Sequence, residues 1–208
     1  MRDHPITPVT EPMQYRAIGL VRGVYSPEAF DQFTRGFLTD EQGMKIEAVV
    51  LGRVLALMKR HLNMEEPHLW VVYPRSRKSN KLHLQIAGIW EPSTLNVNDK
   101  EESHSQKENI NKSLILEDQL KEGDDYFSIR GELIFTKQET KDLIIKIRQK
   151  PRKSVRKPFP FKIHLKGDIP LKNLHDFISL DVRRIGQDLK VEDYQIINAM
   201  KNHSLNKF

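Results

Sequence analysis

Residues 159–186 read FPFKIHLKGDIPLKNLHDFISLDVRRIG, and their pattern decides what the C-terminal half of the chain can be. Phe161, Ile163 and Leu165 alternate with Lys162, His164 and Lys166, the period of a strand with one apolar face and one wetted, basic face. Gly167 and Pro170 stop that strand, and FISLDVRRIG, from Phe177, starts another.

The same signal recurs on either side, in YFSIRGELIF from Tyr126, DLIIKIRQK from Asp142 and QDLKVEDYQI from Gln187, so five strands fit in about seventy residues. The last two form a hairpin through Arg184-Ile185-Gly186-Gln187. Pro170 to Asp176 falls between the third and fourth strands, where the oligonucleotide/oligosaccharide-binding (OB) barrel carries its connecting helix.

In the first half, Tyr15 to Tyr25 reads as a strand distorted at its glycines, and Gln32 to Leu38 and Lys45 to Val50 as a strand pair joined by the turn-rich TDEQG of Thr39 to Gly43. Val50, Val54, Leu57, Met58 and Leu62 fall at helical spacing and predict a helix over 48–62. Strands at His68 to Tyr73 and Leu82 to Trp90 flank a basic loop holding Arg75, Arg77, Lys78 and Lys81. Trp70 and Trp90 are expected in the core.

Aligning Gly88 with Gly167 sets Leu82, Leu84 and Ile86 opposite Phe161, Ile163 and Leu165, and Val21-Arg22-Gly23 matches Ile129-Arg130-Gly131. The resulting expectation is a mainly β (α+β) protein of two small OB-like, Greek-key β-barrel units, the first with an inserted α-helix, joined by a disordered acidic linker. Generic hairpins also resemble one another, so a single mixed domain with a β-rich tail is the rival. The expected organisation is a disordered arm over 1–14, which holds three prolines, a β-rich domain over 15–95, a flexible linker over 96–125, an OB-like barrel over 126–198 and a tail over 199–208.

The composition narrows the chemistry. The 208 residues carry a formal charge of +6 and a pI near 9.4, which makes polyanions plausible partners. The absence of cysteine excludes disulfides, thiolate metal sites and thiol catalysis. No run approaches the ~18 apolar residues of a membrane span and the N-terminal residues lack an apolar signal core, so the expected setting is the cytoplasm, without membrane association. No phosphate-cradling glycine loop, dinucleotide fingerprint or zinc-ligand spacing is present, and His83 and His164 fall on wetted strand faces. No catalytic residue, metal or cofactor is expected, and the chain does not read as an enzyme.

Between Lys141 and Lys166 stand ten lysines and arginines and one acid, Asp142. Lys146, Arg148 and Lys150 share a strand face, Arg152, Lys153, Arg156 and Lys157 occupy the following loop, and Lys162 and Lys166 lie on the wetted face of the next strand. Like charges on neighbouring strands cost roughly 0.2–1 kcal/mol per pair, so an external polyanion is expected to offset them. These nine residues are the expected phosphate contacts, extended by Arg75, Arg77 and Lys78. Tyr73 and Phe159 flank the basic loops as candidate stacking platforms, with hairpin packing as the ordinary alternative.

The segments Tyr15-Arg-Ala-Ile-Gly-Leu-Val-Arg-Gly, His68-Leu-Trp-Val-Val-Tyr-Pro-Arg and Tyr126-Phe-Ser-Ile-Arg-Gly-Glu resemble a family of uncharacterised cyanobacterial proteins over residues 15–92 and 126–195. The resemblance implies a bacterial cytoplasm and brings no activity, cofactor or catalytic residue with it. From the residues themselves, the expectation is a non-catalytic protein binding single-stranded or structured RNA, or single-stranded DNA, through a basic strand face and hairpin loop. The alternative is an adaptor or assembly factor that sets the same face on an acidic protein. No oligomeric state follows from the sequence.

Overall fold

The computed structural model describes residues 4–29, 31–76, 81–91, 120–149 and 158–198, apart from the side chains at 59 and 61. The chain divides into two compact units, one of residues 1–7, 19–73 and 83–126, the other of residues 8–18, 74–82 and 127–208.

The first barrel consists of β1 (Arg16–Pro27), β2 (Arg35–Thr39), β3 (Lys45–Val50), α1 (Gly52–His61), β4 (His68–Ser76) and β5 (Leu82–Ile89). β1 runs antiparallel to both β2 and β4, β2 pairs antiparallel with β3, and β3 pairs parallel with β5, which adjoins β4. The strand order 1-2-3-5-4 therefore closes on itself. Ile46, Ala48 and Val50 point inward at a period of two, opposite Leu84 and Ile86 of β5, with Leu20, Leu38 and Trp70 also fully buried. Trp70 Nε1 donates to the Gly23 carbonyl at 2.8 Å and the Tyr25 hydroxyl donates to that of Phe33 at 3.0 Å, so both buried side chains are satisfied. Burial pushes the Tyr25 hydroxyl up to about 12.

The second barrel consists of β6 (Tyr126–Lys137), β7 (Asp142–Ile147), β8 (Phe161–Lys166), a 3-10 turn at Leu171–Asn173, β9 (Phe177–Ile185) and β10 (Asp188–Asn198). β6, β7 and β8 pair antiparallel in succession, β8 meets β10 parallel at Lys166 and Lys190, β10 pairs antiparallel with β9, and β9 returns to β6. This is the closed five-strand order of the OB-fold, a second time. Gly186, at φ 62°, makes the β9–β10 turn.

Gly23 and Gly131 occupy the same point of the two barrels. A Cβ there would lie 2.4 Å from the Thr39 carbonyl oxygen in one and 2.6 Å from that of Lys146 in the other. In each case the opening strand bends against the second strand, and only glycine lets the backbones approach so closely.

Several expectations need correction. The helix is not an insertion, because α1 joins the third and fourth strands, the place that the 3-10 turn takes in the second barrel. It starts at Gly52 and not at residue 48, since Ala48 and Val50 are held in β3 by pairing with β5. Among its described side chains Val54 and Met58 are buried, one turn apart. The alignment of Leu82–Gly88 with Phe161–Gly167 matched a fifth strand with a third; the topological partner of β8 is β3 and that of β5 is β10. The match of Val21-Arg22-Gly23 with Ile129-Arg130-Gly131 does join equivalent strands.

The expected disordered arm is pinned along its described part. Ile6 is buried, and in the same unit His4 Nε2 lies 3.1 Å from Glu122 Oε2. In the other unit Arg130 donates to the carbonyl of Pro12 at 2.7 Å and to Ser179 Oγ at 2.8 Å. The end of the expected linker is also engaged, as Arg22 Nε donates to Asp124 at 2.7 Å. Residues 92–119 and 199–208, which hold the rest of the linker and the tail, lie outside the described residues. His83 is buried and not wetted, although it shares the outer side of the sheet with Glu47, which stands directly across from it on β3. Trp70 is fully buried, whereas Trp90 is half-buried.

Candidate nucleic-acid interface

The outer face of β6, β7 and β8 is a grid of three cross-strand rows. Leu133 pairs with Ile145, both facing the core; one residue on, β6 bulges, and Phe135 stands opposite Ile144. The extra residue, Ile134, turns Phe135 out of the interior, leaving it 41% exposed. Ile144 is paired in turn with His164 of β8, so the middle row runs Phe135, Ile144, His164. On one side lies the row Glu132, Lys146, Lys162, and on the other Lys137, Asp142, Lys166.

The cations of this grid are largely answered by carboxylates. Lys146 Nζ lies 3.1 Å and Arg148 Nη2 3.5 Å from Glu132 Oε2, and Lys166 Nζ lies 2.6 Å from Asp142 Oδ1. The hydrogen bond from Lys166 holds the Asp142 carboxyl below its usual range, and the same bond raises the Lys166 ammonium. Lys162 forms none of these pairs. Lys146, Arg148 and Lys166 therefore need no outside polyanion to offset their charge, since Glu132 on the adjoining strand and Asp142 already stand beside them.

His164 is half-buried in the middle row, where desolvation, assisted by the charge of Lys162, lowers its pKa against a smaller opposing influence from Asp142. The ring is therefore neutral at pH 7, flat and uncharged between two charged rows. A shallow polar cleft of about 160 Å³ adjoins it, lined by Asp142, His164, Lys166, Gln187 and Asp188, so the β9–β10 turn contributes to the same edge. An uncharged row with two rings, flanked by lysines, suits a nucleobase with its flanking phosphates.

Of the expected contacts, Lys146, Arg148, Lys162 and Lys166 share this face. Lys150, Arg152, Lys153, Arg156, Lys157, Arg77 and Lys78 lie outside the described residues. Arg75 is engaged within the second unit, its guanidinium 3.8 Å above the centre of the Phe161 ring. Tyr73 is half-buried and belongs to the first unit. Phe159 is 92% exposed just before β8, so the packing alternative does not hold for it. Phe135 and His164 escaped the sequence reading. Strict alternation through Ile129, Gly131 and Leu133 assigns Phe135 to the core, and nothing local announces the bulge.

Among the described residues no group of three His, Cys, Asp or Glu side chains is placed to hold a metal ion, and no helix is long and apolar enough to cross a membrane.

Comparison with curated proteins finds no match. Family models do match, in order. Residues 17–97 match the N-terminal OB-fold domain of the PatR RNA-binding protein, and residues 129–198 match the C-terminal cyanobacterial OB-fold-like RNA-binding domain. With both barrels accounted for in fold and in sequence, the chain belongs to the cyanobacterial family of two-domain OB-fold RNA-binding proteins.

Proposed function

We propose that the protein binds single-stranded RNA without converting it, using the outer face of β6, β7 and β8. The observation that carries this reading is the row Phe135, Ile144, His164 between two rows that bear lysines. Bases stack on Phe135 and on the neutral His164 ring, each contributing about 1–3 kcal/mol. Phosphates take Lys162 directly and displace Glu132 and Asp142 from Lys146, Arg148 and Lys166. That exchange is inexpensive at Lys166, whose pair with Asp142 is open to solvent and weakened by it, and costlier at the partly buried Glu132. The cations of the β7–β8 loop, Lys150, Arg152, Lys153, Arg156 and Lys157, follow Arg148 in sequence and extend the phosphate track.

The test is fluorescence anisotropy of labelled single-stranded RNA with the full chain, the Phe135→Ala variant and the Lys162→Ala/Arg148→Ala double variant. Phe135→Ala should weaken binding roughly fivefold to a hundredfold. The four phosphate contacts of the strand face alone should give a slope of about −3 in log K against log salt, steeper with those of the loop and reduced in the double variant. Unchanged affinity in both variants would remove this face from the interface. Single-stranded DNA of the same sequence and an acidic polypeptide serve as competitors, and displacement by the polypeptide alone would favour an adaptor.

A further inference from the structure

We propose that the first barrel reads guanine, stacking the base on Phe37 and holding its Watson–Crick edge with the Glu47 carboxylate. The inference rests on the RNA-binding reading above and adds a base preference to it.

The site emerges when the two barrels are laid over each other by strand pairing. Directly after the equivalent glycines, Val24 pairs with Thr39 and Glu132 with Lys146. Two residues back along the second strand stand Phe37 and Ile144, and across from these, on the third strand, Glu47 and His164. The middle row of the second barrel thus has a counterpart in the first, running Ser26, Phe37, Glu47, His83. Leu38 and Ile46 face the core, which sets Phe37 outward at 36% exposure. Each barrel therefore keeps an exposed phenylalanine on the same row, although the two stand on different strands.

What differs is the neighbour of the ring. In the second barrel the third-strand position holds the neutral His164; in the first it holds Glu47. A carboxylate beside a stacking ring repels phosphate, so this position suits a donor-bearing base edge. Adjacent strands are about 4.8 Å apart, so a base lying on Phe37 presents its edge to the next strand. Guanine alone places two adjacent N–H donors, N1–H and an N2 hydrogen, on that edge, and these match the two oxygens of a carboxylate. Adenine and cytosine each set a ring-nitrogen acceptor beside one amino group, and uracil flanks its N3–H with carbonyl oxygens, so each opposes the carboxylate with a lone pair.

The surroundings support this arrangement. The buried His83 ring stands beside this carboxylate, its Nδ1 3.9 Å from Glu47 Oε2. Arg35 and Lys45 lie two residues from Phe37 and Glu47 on their respective strands, on opposite sides of the row, where they can meet the phosphates on either side of a seated base.

The test measures anisotropy of a short mixed-sequence RNA against the same RNA with every guanosine replaced by inosine, which lacks only the N2 amino group. The full chain, Glu47→Gln and Phe37→Ala are compared, with thermal melts confirming their folding. Inosine should weaken binding by the full chain roughly tenfold or more, the loss of one hydrogen bond to a charged group. Glu47→Gln should bind the two RNAs nearly equally, and Phe37→Ala should weaken both. Equal affinity of the unaltered protein for both RNAs, or an undiminished guanosine preference in Glu47→Gln, would overturn the proposal while leaving RNA binding intact. Failure of the unaltered protein to bind either RNA at low salt would overturn both.

Discussion

Glu132 on β6 faces Lys146 on β7 as its direct cross-strand partner, with Nζ 3.1 Å from Oε2, and the same carboxylate oxygen also serves Arg148. One acid therefore restrains two cations of the proposed interface. Replacing it with glutamine leaves its shape and removes its charge. Glu132→Gln is expected to tighten RNA binding about twofold to fivefold at low salt, since a partly buried pair at the surface opposes phosphate by up to about 1 kcal/mol. Titrations of the two proteins side by side decide this, and weaker binding by the variant would mean that Glu132 contacts the ligand or holds Lys146 in its working position.

The glycines at the strand bends make a sharper stability prediction. In Gly131→Ala the new methyl would lie 2.6 Å from the Lys146 carbonyl oxygen and 2.7 Å from Ile145 Cγ2, so the variant should lose about 1–3 kcal/mol. Gly88→Ala is the control, because its methyl would meet Val71 Cβ at an ordinary 3.6 Å and should cost less than about 0.5 kcal/mol. Urea denaturation of both variants measures the contrast, and equal losses would refute the close approach at Gly131.

Two histidines tie stability to pH in opposite senses. Burial alone would lower the pKa of His68, but its hydrogen bonds to Glu91 and to the Asn63 carbonyl, with the charges of Glu91 and Glu66, leave it raised. Its contribution is fully present below about pH 6.5, the unfolded value, and is lost as pH rises through the folded value. His164 has the opposite shift: below about pH 6.5 the unfolded chain takes up a proton that the folded one resists, so stability falls as pH falls. Both tryptophans belong to the first half, so their fluorescence reports the barrel that holds His68. Urea melts followed this way should show stability declining from pH 6 towards neutrality and above. That decline should vanish in His68→Gln, and a decline that persists would assign it to another group.

The N-terminal segment is expected to matter for folding. Removing residues 1–14 exposes the site of Ile6, leaves Glu122 without His4 and deprives the partly buried Arg130 of carbonyl acceptors at Pro12 and Gln14. Burial of one isoleucine alone contributes about 1.5–3 kcal/mol. Calorimetry of the shortened chain should show melting lowered by at least about 3–6 °C, and an unchanged melting temperature would show that these contacts do not stabilise the fold.

By itself, the sequence determined the strands and their two faces. Side-chain direction alternates with each residue, so Ile163 and Leu165 had to point one way and Lys162 and His164 the other, whatever the rest of the chain did. The five-strand order was legible for the same reason, through the glycine turn at 186 and the short segment before Phe177. The tertiary structure alone decided which residues meet across strands. Ring closure made α1 the counterpart of a 3-10 turn and settled Ala48, which both a strand and a helical pattern claimed, in the strand, because pairing with β5 outweighs a helical period shared by a few residues. A single bulged residue put Phe135 outside, and the β6–β7 register brought Glu132 to cations fourteen and sixteen positions away. Cross-strand register depends on pairing between distant segments, and no local window contains both partners.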